Sequence, residues 1–156
     1  MEIVVRSGSM EFKFRPIKLE DVKQIDSWNY ENFVEKVEMK PYFESFQHTG
    51  QLKGPGGCEG YAAFVDEEVV GLFEFNINRN LMEIGLALRP DWIGKGLGAT
   101  YVKQGIAFGI HHYDEDMNEV RLEVDEQNKA AIRVYEKIGF KKIEQKQCDI
   151  EMGMVL

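Results

Sequence analysis

The sequence predicts an α/β (α+β) domain. Its expected form is a mixed, mostly antiparallel sheet of six to seven strands, with one central parallel β-α-β crossover and helices on both faces. Three observations carry this. Short runs with period-two alternation recur between clusters of turn formers, the pattern of antiparallel hairpins. Strands at 81–88 and 119–125 are separated by one apolar helix, and strand, helix, strand over that length is a parallel crossover. A chain of 156 residues that is 44% hydrophobic suits a single domain, 1–156, with residues 1–10 as a loose N-terminal arm.

Phe12, Phe14 and Pro16 alternate with Glu11, Lys13 and Arg15, the period of a half-buried first strand. Leu19, Val22, Ile25 and Trp28 then recur at threes, as on one face of a helix. Phe33 and Val37 continue a helical pattern until Pro41 interrupts it. Trp28, Tyr30, Phe33, Tyr42, Phe43 and Phe46 are dense here, suited to core packing or to the wall of an acceptor pocket. Glu31, Glu35 and Glu38 sit at helical spacing, as a solvated face or an attractor for a cation. Residues 50–60 are a loop by composition, a flexible connection or a substrate-side lid.

Two hairpins follow. Strands 61–65 and 69–77 flank Asp66-Glu67-Glu68, and strands 69–77 and 81–88 flank Asn78-Arg79-Asn80. In the last of these, Met82, Ile84, Leu86 and Leu88 share one face, and Glu83, Gly85 and Ala87 the other. A carboxylate followed by two tiny residues leaves a trough on that second face. A helix over 97–112 carries two apolar stripes, and Gly105 and Gly109 permit close approach to a sheet. Strand 119–125 turns Val120, Leu122 and Val124 one way and Arg121, Glu123 and Asp125 the other. Parallel strands are usually covered on both faces, so a carboxylate here is either paired, as with Arg121, or functional. A last helix, 128–138, ends at Gly139-Phe140, the sequence sign of a Schellman cap. Asn128, Ala131 and Tyr135 share one of its faces. Strands 140–144 and 148–155 close the chain through Gln145-Lys146-Gln147, with Cys148 expected as a small buried hydrophobe.

The chemistry gathers at the glycine loop Ile93-Gly94-Lys95-Gly96-Leu97-Gly98-Ala99. Gly94, Gly96 and Gly98 admit positive φ and put no side chain in the way. The N–H groups of Gly94 to Ala99 would converge at a helix start, where the dipole favours an anion, and Lys95 adds a point charge. The loop therefore reads as the seat of a cofactor pyrophosphate.

The formal charge of −8 argues against nucleic acid, whose phosphates select basic surfaces, and suits solubility or a cationic substrate. Two cysteines are too few for a disulfide framework. No apolar run spans a bilayer and no secretory segment is evident, so the expected compartment is the cytoplasm and no membrane partner is expected. No metal is expected either. His111 and His112 point about 100° apart on a helix. The run from Asp114 to Asn118 resembles half a calcium loop, but Glu119 stands where Gly is needed.

Together the loop and the last helix resemble the GNAT superfamily of acyl-CoA N-acyltransferases. The loop looks like its Q/R-x-x-G-x-G/A signature, with Ile93 in place of Gln or Arg. The stretch from Asn128 to Phe140 looks like N-x-x-A-x-x-x-Y-E-x-x-G-F. Glu123-Val124 ahead of Asn128 is similar to protein N-terminal acetyltransferases of the RimI type. The resemblance implies acetyl-CoA as cofactor. It implies that the backbone of Leu86, Ala87 and Leu88 binds the pantetheine arm where the parallel strands diverge. It places the pyrophosphate on Gly94 to Ala99, with Asn128 contacting the cofactor, Ala131 beside it, and Tyr135 protonating the departing thiolate. Glu123 or Glu83 would take the proton of a small-molecule or peptide amine acceptor. A homodimer stays open. Two rivals exist. Gly94-x-Gly96-x-x-Ala99 fits a loose dinucleotide pattern with Asp125 as the ribose acid, but Arg89 to Ile93 separate it from its strand. A non-catalytic acyl-CoA sensor of the same fold is the other.

Overall fold

A computed structural model describes residues 10–113 and 115–156. The expected N-terminal arm falls, except for Met10, outside those residues, as does Asp114 of the calcium-like run. The strands are β1 (Lys13–Pro16), β2 (Glu59–Val65), β3 (Glu68–Asn78), β4 (Leu81–Leu88), β5 (Glu119–Asp125), β6 (Lys141–Lys146) and β7 (Asp149–Val155). The helices are α1 (Leu19–Asp26), α2 (Lys40–Thr49), α3 (Gly98–Tyr113) and α4 (Lys129–Ile138). The strands form one seven-stranded sheet in the order β1-β2-β3-β4-β5-β7-β6. Only β4 and β5 run parallel, joined through α3; all other neighbours are antiparallel.

The sheet is covered on both faces, which accounts for the apolar run of β3. Phe73 and Phe75 belong to the cluster that receives α3 and α4, with Tyr101, Val102, Ile106 and Tyr135. Leu72 belongs to the opposite cluster, under α1 and α2, with Val22, Ile25 and Tyr42. Gly105 and Gly109 let α3 lie flat, because a methyl at either would overlap Phe73 or Phe75. Tyr101 is fully buried, and its hydroxyl donates to Leu72 O (2.8 Å) and Ala87 O (3.2 Å). Asp21, at the start of α1, is buried as well. It accepts from Arg15 at 2.5 and 3.1 Å and from Lys18 N at 2.9 Å, so its charge is compensated.

The feature that makes a site is a split in the sheet. β4 and β5 pair only at Leu81↔Glu119, Met82↔Val120 and Glu83↔Arg121. Beyond Glu83 no further pairing joins them, so the second half of β4 presents one edge to a gap. Strand polar groups alternate between edges. Arg89 N donates to Val70 O of β3 at 2.8 Å, so Ala87 and Gly85 also turn their main-chain groups toward β3. Leu86 and Leu88 therefore aim theirs into the gap.

Several expectations need correction. The helical pattern expected through Phe33 and Val37 does not form: α1 stops at Asp26, and the chain to Met39 is non-helical. Pro41 does not interrupt a helix but opens α2, in the first turn, where its missing N–H costs nothing. Cys148 is not buried in a strand. It is exposed in the β6–β7 turn, where Gln147 takes positive φ. The expected pairing of Arg121 with a carboxylate of its own face is present, with Glu119 at 2.9 Å, and leaves Glu123 to Lys146. Gly98 does not need positive φ; it opens α3 close to Val134, 3.3 Å from where a Cβ would stand.

Candidate active site

Two clefts meet at the split. The first, of about 500 Å³, is lined by most of the residues singled out for the cofactor. Leu86, Ala87 and Leu88 form one wall; Ile93, Gly94, Gly96, Leu97 and Gly98 form the loop end; Asn128, Ala131 and Tyr135 face them from α4. Glu123 also reaches this cleft. Lys95 and Ala99 flank it rather than line it, and Lys95 is exposed. The second cleft, of about 620 Å³, opens on the α1/α2 side. It is lined by Glu83, Gly85, Glu74, Cys58, Glu38 and Glu151 among others. Lys36, Leu86, Ala87 and Glu123 border both clefts. The trough expected from Glu83, Gly85 and Ala87 is thus part of the second cleft.

The loop end has the features of an anion seat. Gly94 and Gly96 both take φ of 76°, and a Cβ at either would meet nothing within 4 Å. The backbone there is bare and faces open space. Tyr101 N closes the first turn of α3 on Leu97 O at 2.9 Å. The start of α3, the positive end of its dipole, borders the same cleft through Leu97 and Gly98.

Other polar groups are placed by the scaffold. Asn128 caps α4 by accepting from Ala131 N at 3.2 Å, and its amide donates to Glu35 at 3.2 Å. Gly139 N donates to Glu136 O and Phe140 N to Tyr135 O, closing α4 in the Schellman pattern. Phe140 packs on the Tyr135 ring with centroids 5.7 Å apart. Tyr135 is 8% exposed, and among the described residues its hydroxyl makes no hydrogen bond. Burial, and secondarily the Glu35 carboxylate, push its phenol above the usual tyrosine range, so it keeps its proton at neutral pH. The Tyr30 hydroxyl donates to Leu88 O in the gap.

The candidate bases sit differently. Glu123 is half exposed and paired with Lys146 at 3.1 Å. Glu83 is exposed at the rim of the second cleft. Two groups escaped the sequence reading. Trp92 is buried, lines the first cleft, and its Nε1 is an orphaned donor among the described residues. Glu74 is half-buried in the middle of β3, and the Tyr42 hydroxyl donates to it at 2.5 Å. A lone carboxylate inside the run VVGLFEF was the available signal for it, since such a run is otherwise apolar on both faces.

Comparison with known proteins fixes the family. The model of the acetyltransferase (GNAT) family matches residues 20–140. The chain belongs to the GNAT acetyltransferase family. Among its relatives is the spermidine N(1)-acetyltransferase of Escherichia coli K12, 27% identical over 139 residues, covering 82% of this chain and 72% of that one. Another is an N-alpha-acetyltransferase of Saccharolobus solfataricus, 25% identical over 156 residues, covering 92% and 88%. The solved structures that share this GNAT fold include spermidine N-acetyltransferase from Vibrio cholerae in complex with CoA and spermine. It has a TM-score of 0.69 and 16% identity over 92% of this chain and 95% of that one. The Campylobacter jejuni N-acetyltransferase PseH with acetyl coenzyme A gives 0.68 and 18%, over 93% and 99%.

Among the described residues no group of three or more His, Cys, Asp or Glu is placed to hold a metal. No helix there is long and apolar enough to cross a membrane.

Proposed function

We propose that this GNAT acetyltransferase moves an acetyl group from acetyl-CoA to the primary amine of a small cationic acceptor by direct attack. The observation that carries this is the meeting of the two clefts at Leu86, Ala87 and Glu123, across the unpaired edge of β4. A long thiol cofactor lying in the first cleft would present its thioester to an amine held in the second.

The first cleft fits such a cofactor. Its diphosphate would rest on the bare backbone of Gly94 and Gly96 and the start of α3, with Lys95 beside it. Its amide arm would pair with the main chain of Leu86 and Leu88. The orphaned Trp92 N–H is a further donor toward it. When bound, the cofactor supplies an activated acyl thioester. The amine nitrogen would bond to the carbonyl carbon as the carbon–sulfur bond breaks, and would shed its second proton on becoming the amide. An N–H aimed into the gap near Leu88 would polarise that carbonyl. Tyr135 would give its proton to the departing thiolate, and a cleft carboxylate, with Glu123 and Glu83 as the sequence candidates, would take the proton the ammonium must lose.

Direct attack is favoured over an acyl-enzyme. Cys58 is the thiol of the second cleft, and burial together with Glu74 pushes it up to about 12. It is protonated at neutral pH and a poor nucleophile. Cys148 is exposed and lines neither cleft.

The acceptor side is acidic. Glu38, Glu74, Glu83, Glu123, Asp149 and Glu151 line it against Lys36 and Arg121. That excess of carboxylates suits a polycationic amine, and the Escherichia coli relative is a spermidine N(1)-acetyltransferase. A peptide α-amine, as for an N-terminal acetyltransferase of the RimI type, is the second reading, favoured by the Saccharolobus relative. The test is to incubate the protein with acetyl-CoA and either spermidine or peptides with free N-termini. Free thiol and the mass of the product are followed. Acceptor-dependent thiol release with an acetylated polyamine supports the proposal; an acetylated peptide α-amine shifts it to the second reading. Coenzyme A binding without acceptor-dependent release would overturn it in favour of a non-catalytic acyl-CoA sensor.

A further inference from the structure

Glu74 is a half-buried carboxylate of the second cleft, carried on a strand in the interior of the sheet. It faces Gly85 across the β3–β4 ladder, and a Cβ at Gly85 would stand 3.0 Å from its Oε1. Gly85 immediately precedes Leu86, one of the residues at which the two clefts meet. Its other oxygen, Oε2, accepts from the Tyr42 hydroxyl at 2.5 Å. Tyr42 is fully buried and cannot turn away, because Gly54 and Gly60 are wedged against its ring and hydroxyl. A Cβ at Gly54 would come within 2.6 Å of that hydroxyl and 2.8 Å of Cys58 Sγ. A tyrosine on α2 thus fixes one oxygen of a carboxylate on β3, and the other oxygen is turned toward the open trough over Gly85.

We propose that Glu74, oriented by Tyr42, receives the acceptor's ammonium and takes the proton it must lose before the nitrogen attacks. The proposal rests on the acetyl-transfer reading above. One N–H bond of the ammonium breaks, its proton passes to Oε1, and the freed lone pair forms the new N–C bond. As the carbon–sulfur bond breaks, the thiolate takes the proton of Tyr135. The second proton that the nitrogen sheds on becoming an amide restores the Tyr135 phenol, and the first leaves Glu74 to solvent through the open cleft. Glu83 and Glu123 stand further out, exposed or tied to Lys146, and serve to draw the cation in.

The environment suits a base. Burial lifts the Glu74 carboxyl above the usual carboxylate range. Hydrogen bonding from Tyr42 and Cys58 pulls it down, and Glu38 adds to the rise. Tyr42 from α2, Cys58 from the loop before β2 and Glu38 from the segment between α1 and α2 act on it directly. Lys36 from that segment, Glu83 from β4, Arg121 and Glu123 from β5, and Asp149 and Glu151 from β7 line the same cleft. Tyr101 senses it from beneath the sheet. A carboxylate whose proton affinity lies nearer neutrality is better matched to an ammonium than an exposed one.

The experiment compares wild type, Glu74→Gln, Glu74→Asp, Glu83→Gln and Tyr42→Phe. Each is measured for kcat/KM against pH with the amine that wild type acetylates, and for CoA affinity by calorimetry. Glu74→Gln is expected to lower kcat/KM by about 10²–10⁴-fold. It should also abolish the acidic limb of the profile and leave CoA affinity unchanged. Glu74→Asp restores part of the rate with the limb present. Glu83→Gln keeps the limb even where its rate falls. Tyr42→Phe moves the limb to higher pH, because the lost hydrogen bond had held the carboxyl down. An acidic limb that persists in a folded Glu74→Gln overturns the assignment. If Glu74→Gln does not fold, Tyr42→Phe decides: an unmoved limb overturns it, and a limb moved upward supports it. Failure of the wild type to acetylate any amine would instead overturn the acetyl-transfer reading.

Discussion

Replacing Tyr135 with Phe separates a chemical role from a structural one, because the structure predicts opposite sizes for the two effects. The ring is 8% exposed and packs on Phe140, and Phe keeps all of that contact. The hydroxyl makes no hydrogen bond among the described residues, so removing it leaves no partner unsatisfied. The stability change should therefore stay below about 1 kcal/mol. The rate is another matter. Loss of a positioned general acid removes about 10²–10⁴-fold of turnover, or about 3–5 kcal/mol of barrier. The assay is steady-state thiol release at saturating acetyl-CoA, beside a thermal melt and calorimetry of CoA binding. The expected result is a fall in kcat with melting temperature and CoA affinity unchanged. Wild-type turnover in the variant would refute the general-acid role. A fall in affinity that matches the fall in rate would make Tyr135 a binding residue instead.

Three further outcomes follow from the same geometry. Gly96→Val places a branched side chain at φ 76°, straining the loop by about 1–3 kcal/mol and intruding on the anion seat, so CoA binding weakens by calorimetry. Gly105→Ala drives a methyl into Phe73 and lowers stability by about 1–3 kcal/mol, read as a lower melting temperature with no shift in KM. Glu74→Gln should stabilise the fold at pH 8 and have little effect near pH 4. The carboxyl is raised in the folded state, so its favourable contribution is present below the unfolded value and is lost as pH rises through the folded one. Equal melting temperatures of wild type and Glu74→Gln across that range would contradict the burial of this group.

The parts of the molecule legible in the sequence were those set by local backbone chemistry. Gly94 and Gly96 announced positive φ and showed it, and Gly139-Phe140 announced the cap that closes α4. The hairpin turns at Asp66 and Arg79 were equally readable, both residues taking positive φ. Parallel pairing of β4 with β5 followed from connection length. What escaped depended on tertiary placement. Pro41 forbids a helix interior and favours a helix start, and only the fold of residues 27–39 decides between them. Cys148 reads as a strand residue or a turn residue according to a two-residue shift of the hairpin. Glu74 alternates correctly in a strand that is apolar on both faces, so periodicity could not say which side it served. Its partner Tyr42 lies 32 positions away, on α2, which opens at the proline expected to end a helix. Trp92 carries no local signal, because only the tertiary packing around its ring leaves its N–H without a partner among the described residues.

A crystal structure with coenzyme A tests the account at its centre. The diphosphate should lie on the main chain of Gly94 and Gly96, and the amide arm along Leu86 and Leu88 between β4 and β5. The thiol should end within reach of Tyr135. Coenzyme A bound elsewhere, with the edge of β4 and the glycine turn unengaged at saturating ligand, would contradict it.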